Sequence, residues 1–325
     1  MLKLQKDPKH DFCILNLSDP QLAGDEWDKD HQAFRIFDRT VKTLIEKTHP
    51  DLITVTGDLS YGGQLASYEK YLGYFRQFGI RWTTVFGNHD NQAGPEPVAK
   101  VVDMYQKDPL FIYESGDPAL GNGNFVILIE EEGRPVEGLV LMDTHDRMPY
   151  TDGDGNEREE WAKLLPPQID WYRAEIAALQ KMGCKETVLF THIPIYHYRE
   201  AYAAAHRADV DPRSVQPQNS PGPDFWNPGY ESSVGVLYEG ISSYPEDEGM
   251  FDAIRELGST RCVICGHDHV NNFMIRYQDV NFIYAMKTGK GCYWNSVLNG
   301  GTQITVGSHG VCGAEHHFVN VSDLL

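Results

Sequence analysis

Five short apolar runs, each closed by a cluster of polar residues, constrain this chain more than any other feature. The runs are Phe12–Leu17, Leu52–Thr56, Arg81–Val85, Thr187–Phe190 and Cys262–Cys265. They lead into Asp19-Pro20-Gln21, Gly57-Asp58-Leu59-Ser60-Tyr61, Gly87-Asn88-His89-Asp90, Thr191-His192 and Gly266-His267-Asp268-His269. Runs this short read as buried strands rather than helices. Single helical stretches separate the first three: Gln32–Lys47, with Phe34, Phe37, Val41, Leu44 and Ile45 on one face, and Ser67–Phe78. Strands joined by single helices pair in parallel, which predicts an α/β layered fold. In such a sheet the carboxyl ends of the strands open onto one crevice, so groups distant in sequence can converge there. A glycine ahead of the polar residue lets the backbone turn sharply at the strand end.

The middle of the chain changes character. Asn124–Glu130 and Gly138–Asp143 read as paired strands around a polar turn at Glu131–Glu137, followed by a Gly- and Asp-rich loop at Asp152–Asn156. Helices are expected from Pro167 to Lys181 and over Gly249–Leu257, and strands and turns over Phe282–Val306. From His197 to Tyr244 the pattern dissolves into Pro, Asn, Ser and Gly with scattered aromatics, among them Phe225, Trp226 and Tyr230. A long irregular segment inside a compact domain is expected to be functional. The expectation is one domain over 1–325 with a lid-like loop inserted at about 197–244.

Charge and composition exclude some partners. A formal net charge of -19 repels phosphate backbones, so extended nucleic-acid binding is not expected. A small anionic substrate is still admitted, because bound cations can reverse the local field inside a cleft. No apolar stretch reaches the roughly 18 residues of a membrane span, so no membrane partner is expected. Met1–His10 is charged and lacks the features of a signal peptide. Cys13, Cys184, Cys262 and Cys265 sit in or beside apolar runs, as buried free thiols do. Both features point to a cytoplasmic protein. Cys262-x-x-Cys265 has no thioredoxin-like setting that would mark a redox or metal pair.

The strand-end residues suit metals. Carboxylate and amide oxygens combined with imidazole nitrogens favour iron, manganese or zinc over calcium. A carboxylate such as Asp58 can bridge two cations about 3.5–4 Å apart, an arrangement that acidifies a shared water and clamps a phosphoryl oxygen. One such cluster alone reads as a turn or a helix cap. Five in succession, each closing a strand, point to a metal centre.

The order D-x-[HQG], GDxxY, GNHD, a lone His after a strand and GHxH, over roughly residues 12 to 275, resembles the calcineurin-like metallophosphoesterases. The resemblance implies a four-layer α/β/β/α sandwich of two mixed sheets, with a dinuclear metal site at the strand C-terminal edge. Most of the superfamily has His where this chain has Gln21. Tyr61 resembles the tyrosinate ligand of purple acid phosphatases, and Leu141-Met142-Asp143-Thr144 with Trp161, Gln168 and Trp171 is similar to purple-acid-phosphatase-like proteins. By this resemblance the first metal would take Asp19, Asp58, Tyr61 and His269, with Gln21 as the alternative to Tyr61. The second would take Asp58, Asn88, His192 and His267. Iron with zinc or manganese is implied, or a Mn/Mn or Zn/Zn pair. His89 would be catalytic, protonating the leaving oxygen, with Asp90 orienting it; His145, Asp146, His197 and His206 stay open as further candidates. The expected function is phosphomonoester hydrolysis of a small phosphorylated substrate by a hydroxide activated by two metals. The alternatives are a phosphodiesterase acting on a small nucleotide or lipid headgroup, and a catalytically weakened metal-binding scaffold.

Overall fold

The computed structural model describes residues 1–92, 95–216 and 224–325. In chain order its first elements are β1 (Leu2–Lys6), β2 (Phe12–Leu17), α1 (Gln32–Thr48), β3 (Leu52–Thr56), α2 (Leu65–Arg76), β4 (Arg81–Val85), α3 (Asn88–Asn91) and α4 (Pro95–Tyr105). The middle comprises β5 (Phe125–Glu131), β6 (Arg134–Leu141), β7 (Arg147–Thr151), β8 (Glu157–Trp161), α5 (Pro166–Lys181), β9 (Thr187–Phe190) and α6 (His197–Ala205). It closes with α7 (Met250–Leu257), β10 (Thr260–Cys265), β11 (Met274–Tyr277), β12 (Val280–Tyr284), β13 (Gly300–Gly307) and β14 (Gly310–Phe318).

Two mixed sheets form the centre. The 5-stranded sheet runs β14-β13-β2-β3-β4, with β2, β3 and β4 parallel. The 7-stranded sheet runs β1-β5-β6-β9-β10-β12-β11, with β6, β9, β10 and β12 parallel. Period-two alternation assigns the faces of the second sheet. Ile127, Ile129, Leu139, Leu141, Val188, Phe190 and Ile264 share one core with β2, β3 and β4. Their neighbours Val126, Leu128, Val140, Leu189 and Val263 join the core formed with α5, α6 and α7. Helix α1 covers β2 and β13 on the far side, giving the four-layer α/β/β/α sandwich. Because both faces of the parallel strands are covered, these strands read as continuous apolar runs. The same alternation sends Cys262 to one core and Cys265 to the other, so this pair faces opposite ways.

Several elements depart from the sequence expectation. The polar turn between β5 and β6 is only Glu132-Gly133, both at positive φ (51° and 77°), and Arg134–Glu137 continue the strand. The irregular segment expected from His197 begins with helix α6, whose Tyr198, Ala201, Tyr202 and Ala205 form a buried stripe. Phe225 and Trp226 are buried against this layer, with Phe225 stacked edgewise on His206. Part of the segment, residues 217–223, lies outside the described residues. β1 and β11 are edge strands without an apolar run; Lys3 and Lys6 on β1 pair with Glu130 and Glu131 on β5 at 2.7 and 2.5 Å. Among the described residues no helix is long and apolar enough to cross a membrane.

Candidate metal centre

The carboxyl ends of β2, β3, β4, β9 and β10 meet along one edge of the sandwich, and the loops leaving them are tied together. Asp19 N–H donates to the Gly57 carbonyl (3.3 Å), and Gln21 N–H to that of Asp58 (3.1 Å). Gly266 N–H donates to the His192 carbonyl (3.0 Å), and His267 N–H to Asp19 Oδ2 (3.1 Å). The turns are sharp enough that Asp19, Gln21, Asp58 and His267 all have φ between 50° and 80°. For residues with a Cβ this conformation costs about 1–2 kcal/mol each, and such strain concentrates at functional sites.

Asp19, Asp58 and His269 present ligand atoms that all lie within 4.8 Å of one another, and all three are buried. His269 Nδ1 sits 2.8 Å from the Tyr293 carbonyl, and its ring stacks on Tyr293, leaving Nε2 turned to Asp19 Oδ1 at 3.4 Å. Gln21 is fully buried, with Nε2 donating to Asp58 Oδ2 at 2.8 Å. Asp19 Oδ1 and Gln21 Oε1 are buried without a hydrogen-bond partner. Such orphaned acceptors are costly, and a cation among them would relieve that cost.

A second group converges on the other side of Asp58. His192 Nδ1 lies 2.8 Å from the Thr56 carbonyl, which fixes the proton there and leaves Nε2 as a lone-pair donor. That Nε2 is 2.9 Å from Asn88 Oδ1, 3.4 Å from Asp58 Oδ1 and 3.3 Å from His267 Nδ1. In the neutral tautomer these lone pairs repel, and a cation among them, a proton on His192 Nε2 or a metal ion in its place, relieves the repulsion. The titration behaviour shows the pull for positive charge there. Burial opposes charge on His192, yet Asp58 and Asp19 outweigh it and raise its pKa to about 10. Burial and the His192 charge then push His267 down to about 3. The residues therefore fit two metal ions with Asp58 between them, held by carboxylate, amide and imidazole donors of the kind that bind iron, manganese or zinc.

The remaining sequence candidates divide. Tyr61 is 51% exposed, and its ring lies against His89 with centroids 4.5 Å apart. His89 Nε2 is 3.9 Å from Asp58 Oδ2, while its Nδ1 is buried without a partner. The Asp90 carboxylate goes elsewhere, accepting from Leu59 N–H (3.1 Å), Gly87 N–H (2.8 Å) and the Tyr68 hydroxyl (2.5 Å). As the third residue of α3, it reaches back to that helix's N-cap. It thereby locks the Asp58 and Asn88 loops together. His197 and His206 lie in the helical layer, stacked on Phe251 and Tyr202.

Sequence reasoning missed Lys287. This buried lysine donates to the Asp19 carbonyl at 2.5 Å and helps hold the Asp19 carboxyl well below the ordinary range, together with His269 and His192 and against burial. Its only signal was a cation directly after the apolar run Phe282–Met286. Asp143, at the end of β6, was also missed as an organiser. It accepts from the backbone N–H groups of His145 (2.8 Å) and Asn122 (2.7 Å) and lies 3.4 Å from Asn91 Nδ2.

Comparison with known proteins shows the family and the fold. The chain is 24% identical over 278 residues to "Probable inactive purple acid phosphatase 28" of Arabidopsis thaliana, covering 78% of this chain and 62% of that protein. It is 22% identical over 330 residues to "Phosphatase DCR2" of Saccharomyces cerevisiae, covering 93% of this chain and 51% of that one. The chain thus spans between half and two thirds of the length of these relatives. A dimetal phosphatase from Danio rerio shares the fold, with a TM-score of 0.52 at 13% identity, covering 94% of this chain and 98% of the other. The family model for calcineurin-like phosphoesterases matches residues 14–271, and the chain belongs to that family.

Proposed function

We propose that this protein hydrolyses phosphate monoesters of small substrates. The observation that carries the reading is the crowding of donor atoms around Asp58: orphaned Asp19 Oδ1 and Gln21 Oε1 on one side, His192 Nε2 and Asn88 Oδ1 2.9 Å apart on the other. Asp19, Asp58 and His269, with the Gln21 carbonyl, would hold the first metal; Asp58, Asn88, His192 and His267 would hold the second. When bound, two such cations would supply an acidified water and charge to clamp the phosphoryl oxygens. The exposure of Tyr61 favours Gln21 over a tyrosinate, and with it a manganese or zinc pair over an iron-containing one.

The chain's own groups do the rest. Asp58, fixed by Gln21 Nε2 and His89 N–H, sets the spacing of the two donor sets. His89 stands beside Tyr61, its side chain 19% exposed, where it can hand a proton to the departing alcohol oxygen. Asp90 is a positioning residue that keeps the two loops in register. Free thiols at all six cysteines fit a reducing, cytoplasmic setting.

The test pairs elemental analysis of protein purified without chelator with turnover of nitrophenyl phosphate and bis-nitrophenyl phosphate. About two metals per chain with faster monoester turnover supports the reading. Faster diester turnover transfers it to the phosphodiesterase class. Full metal loading with neither activity would leave a binding scaffold and sink the proposal.

A further inference from the structure

The β7–β8 hairpin stands beside the metal centre without contributing a ligand to it. Its base is the cross-strand pair Arg147 and Trp161. The Trp161 ring meets His267 edge-on, with centroids 4.4 Å apart and planes at 83°. On Trp161 lies the Arg147 guanidinium, 3.8 Å from the ring centroid. The root of the hairpin is pinned to the same rim by Ala162 N–H donating to the Asp146 carbonyl at 3.0 Å. Burial raises the Asp146 carboxyl, which also senses the charges of Arg147, His89 and Asp58. Arg147 is thus two ring contacts from the second donor set, at the mouth of the cleft.

Beyond its influence on Asp146 and its seat on Trp161, the guanidinium has no ion-pair partner among the described residues. Arg158, on the same hairpin, lies within ion-pair distance of Asp152 and Glu160. Arg147 is exposed and, among the described residues, is in no ion pair, although the chain carries 47 acidic residues. Stacking on an indole fixes the plane of a guanidinium and leaves its in-plane N–H groups free for a bidentate acceptor.

From this arrangement we propose that Arg147, held by Trp161, binds a second anionic group of the substrate, a carboxylate or a further phosphate on the alcohol side of the scissile ester. The inference rests on the phosphoester reading and narrows it to substrates with two anionic groups. An alcohol-side anion reaching past His267 would meet Arg147, whereas a substrate with one phosphate would leave it unused.

Calorimetry on manganese-loaded protein tests this without turnover. The ligands are propylphosphonate, with one anionic group, phosphonopropionate, with an added carboxylate, and propylene bisphosphonate, with a second phosphonate. The wild type should bind at least one of the two doubly anionic ligands about tenfold more tightly than propylphosphonate, the value of one charge-assisted pair. Which of them gains tells carboxylate from phosphate. Arg147→Ala should erase the difference, and Arg147→Lys should keep only part of it, because an ammonium lacks the fork. Thermal melts of both variants check that the fold is retained. Equal affinities in the wild type would overturn the inference, as would a preference that survives Arg147→Ala. Failure of all three ligands to bind, together with no turnover of nitrophenyl phosphate, would instead bring down the phosphoester reading, and this inference with it.

Discussion

The tightest joint in the centre is the approach of the Gly87 backbone to Asp58, and Gly87→Ala tests it. A Cβ at Gly87 would fall against Asp58 Oδ1, 2.6 Å from the Asp58 backbone nitrogen and 2.8 Å from His192 Cε1. The φ of Gly87 is -97°, so the backbone conformation itself admits alanine and the whole effect is steric. A rotated Asp58 side chain relieves one contact, but the backbone nitrogen cannot yield in that way. Overpacking of this kind costs about 1–3 kcal/mol. Asp58 Oδ1 also accepts from His89 N–H at 2.9 Å, and losing a hydrogen bond to a charged acceptor costs about 1.5–3 kcal/mol. Together roughly 2.5–6 kcal/mol is expected, which for a chain of this length lowers the melting midpoint by about 4–9 °C. The assay is a thermal melt in chelator, so that metal binding does not enter, followed by metal analysis after reloading. Gly87→Ala should melt lower and retain less metal. Gly73→Ala, in the exposed interior of α2 with nothing within 4 Å of the added Cβ, should melt slightly higher. A Gly87→Ala protein with the wild-type midpoint and full metal content would refute the close-packed account of the site.

Three further outcomes are expected. Asn88→Ala removes one oxygen of the second donor set, so metal content should fall from about two per chain toward one, with loss of phosphomonoester turnover; unchanged values would remove Asn88 from the centre. Gln21→Ala should weaken metal retention while Tyr61→Phe should not, and the reverse ranking in elemental analysis would restore Tyr61 as the ligand. Glu248 has a buried, unpartnered Oε1, and burial raises its pKa to about 7. Its folded pKa lies above the unfolded one, so the fold binds the extra proton and stability falls as pH rises from about 4.5 toward 7. Glu248→Gln should therefore be the more stable protein at pH 8 by up to ~3 kcal/mol, with little difference at pH 4; equal melts at both pH values would contradict this.

Much of the architecture was written in local pattern. β2, β3, β4 and β9 begin and end where the apolar runs do, because strands covered on both faces are mostly apolar and admit small polar side chains such as Asn16 and Thr54 where these bond to each other. The families of strand-end donors were visible for the same reason: polarity resumes at the first residue that reaches the crevice. The edge strands β1 and β11 and the β7–β8 hairpin were not visible, since half of each is solvated and its composition resembles a loop. The aromatics of the 197–244 segment gave no sign of which core they would join.

By itself, then, the sequence determined the two sheets' central strands, the crevice at their carboxyl ends and the candidate residues brought to it. Spacing along a chain cannot say which oxygen faces which nitrogen, and that was left to the tertiary structure. Only there does Gln21 turn inward on Asp58 while Tyr61 turns out to His89, and does Asp90 spend its carboxylate on backbone N–H groups. Only there does Arg147 come to rest on Trp161 at the rim. The Gln21 contact depends on left-handed turns at Gln21 and Asp58 and joins residues 37 positions apart, and Asp90, Tyr61 and Arg147 likewise meet partners on other elements, which no local pattern encodes.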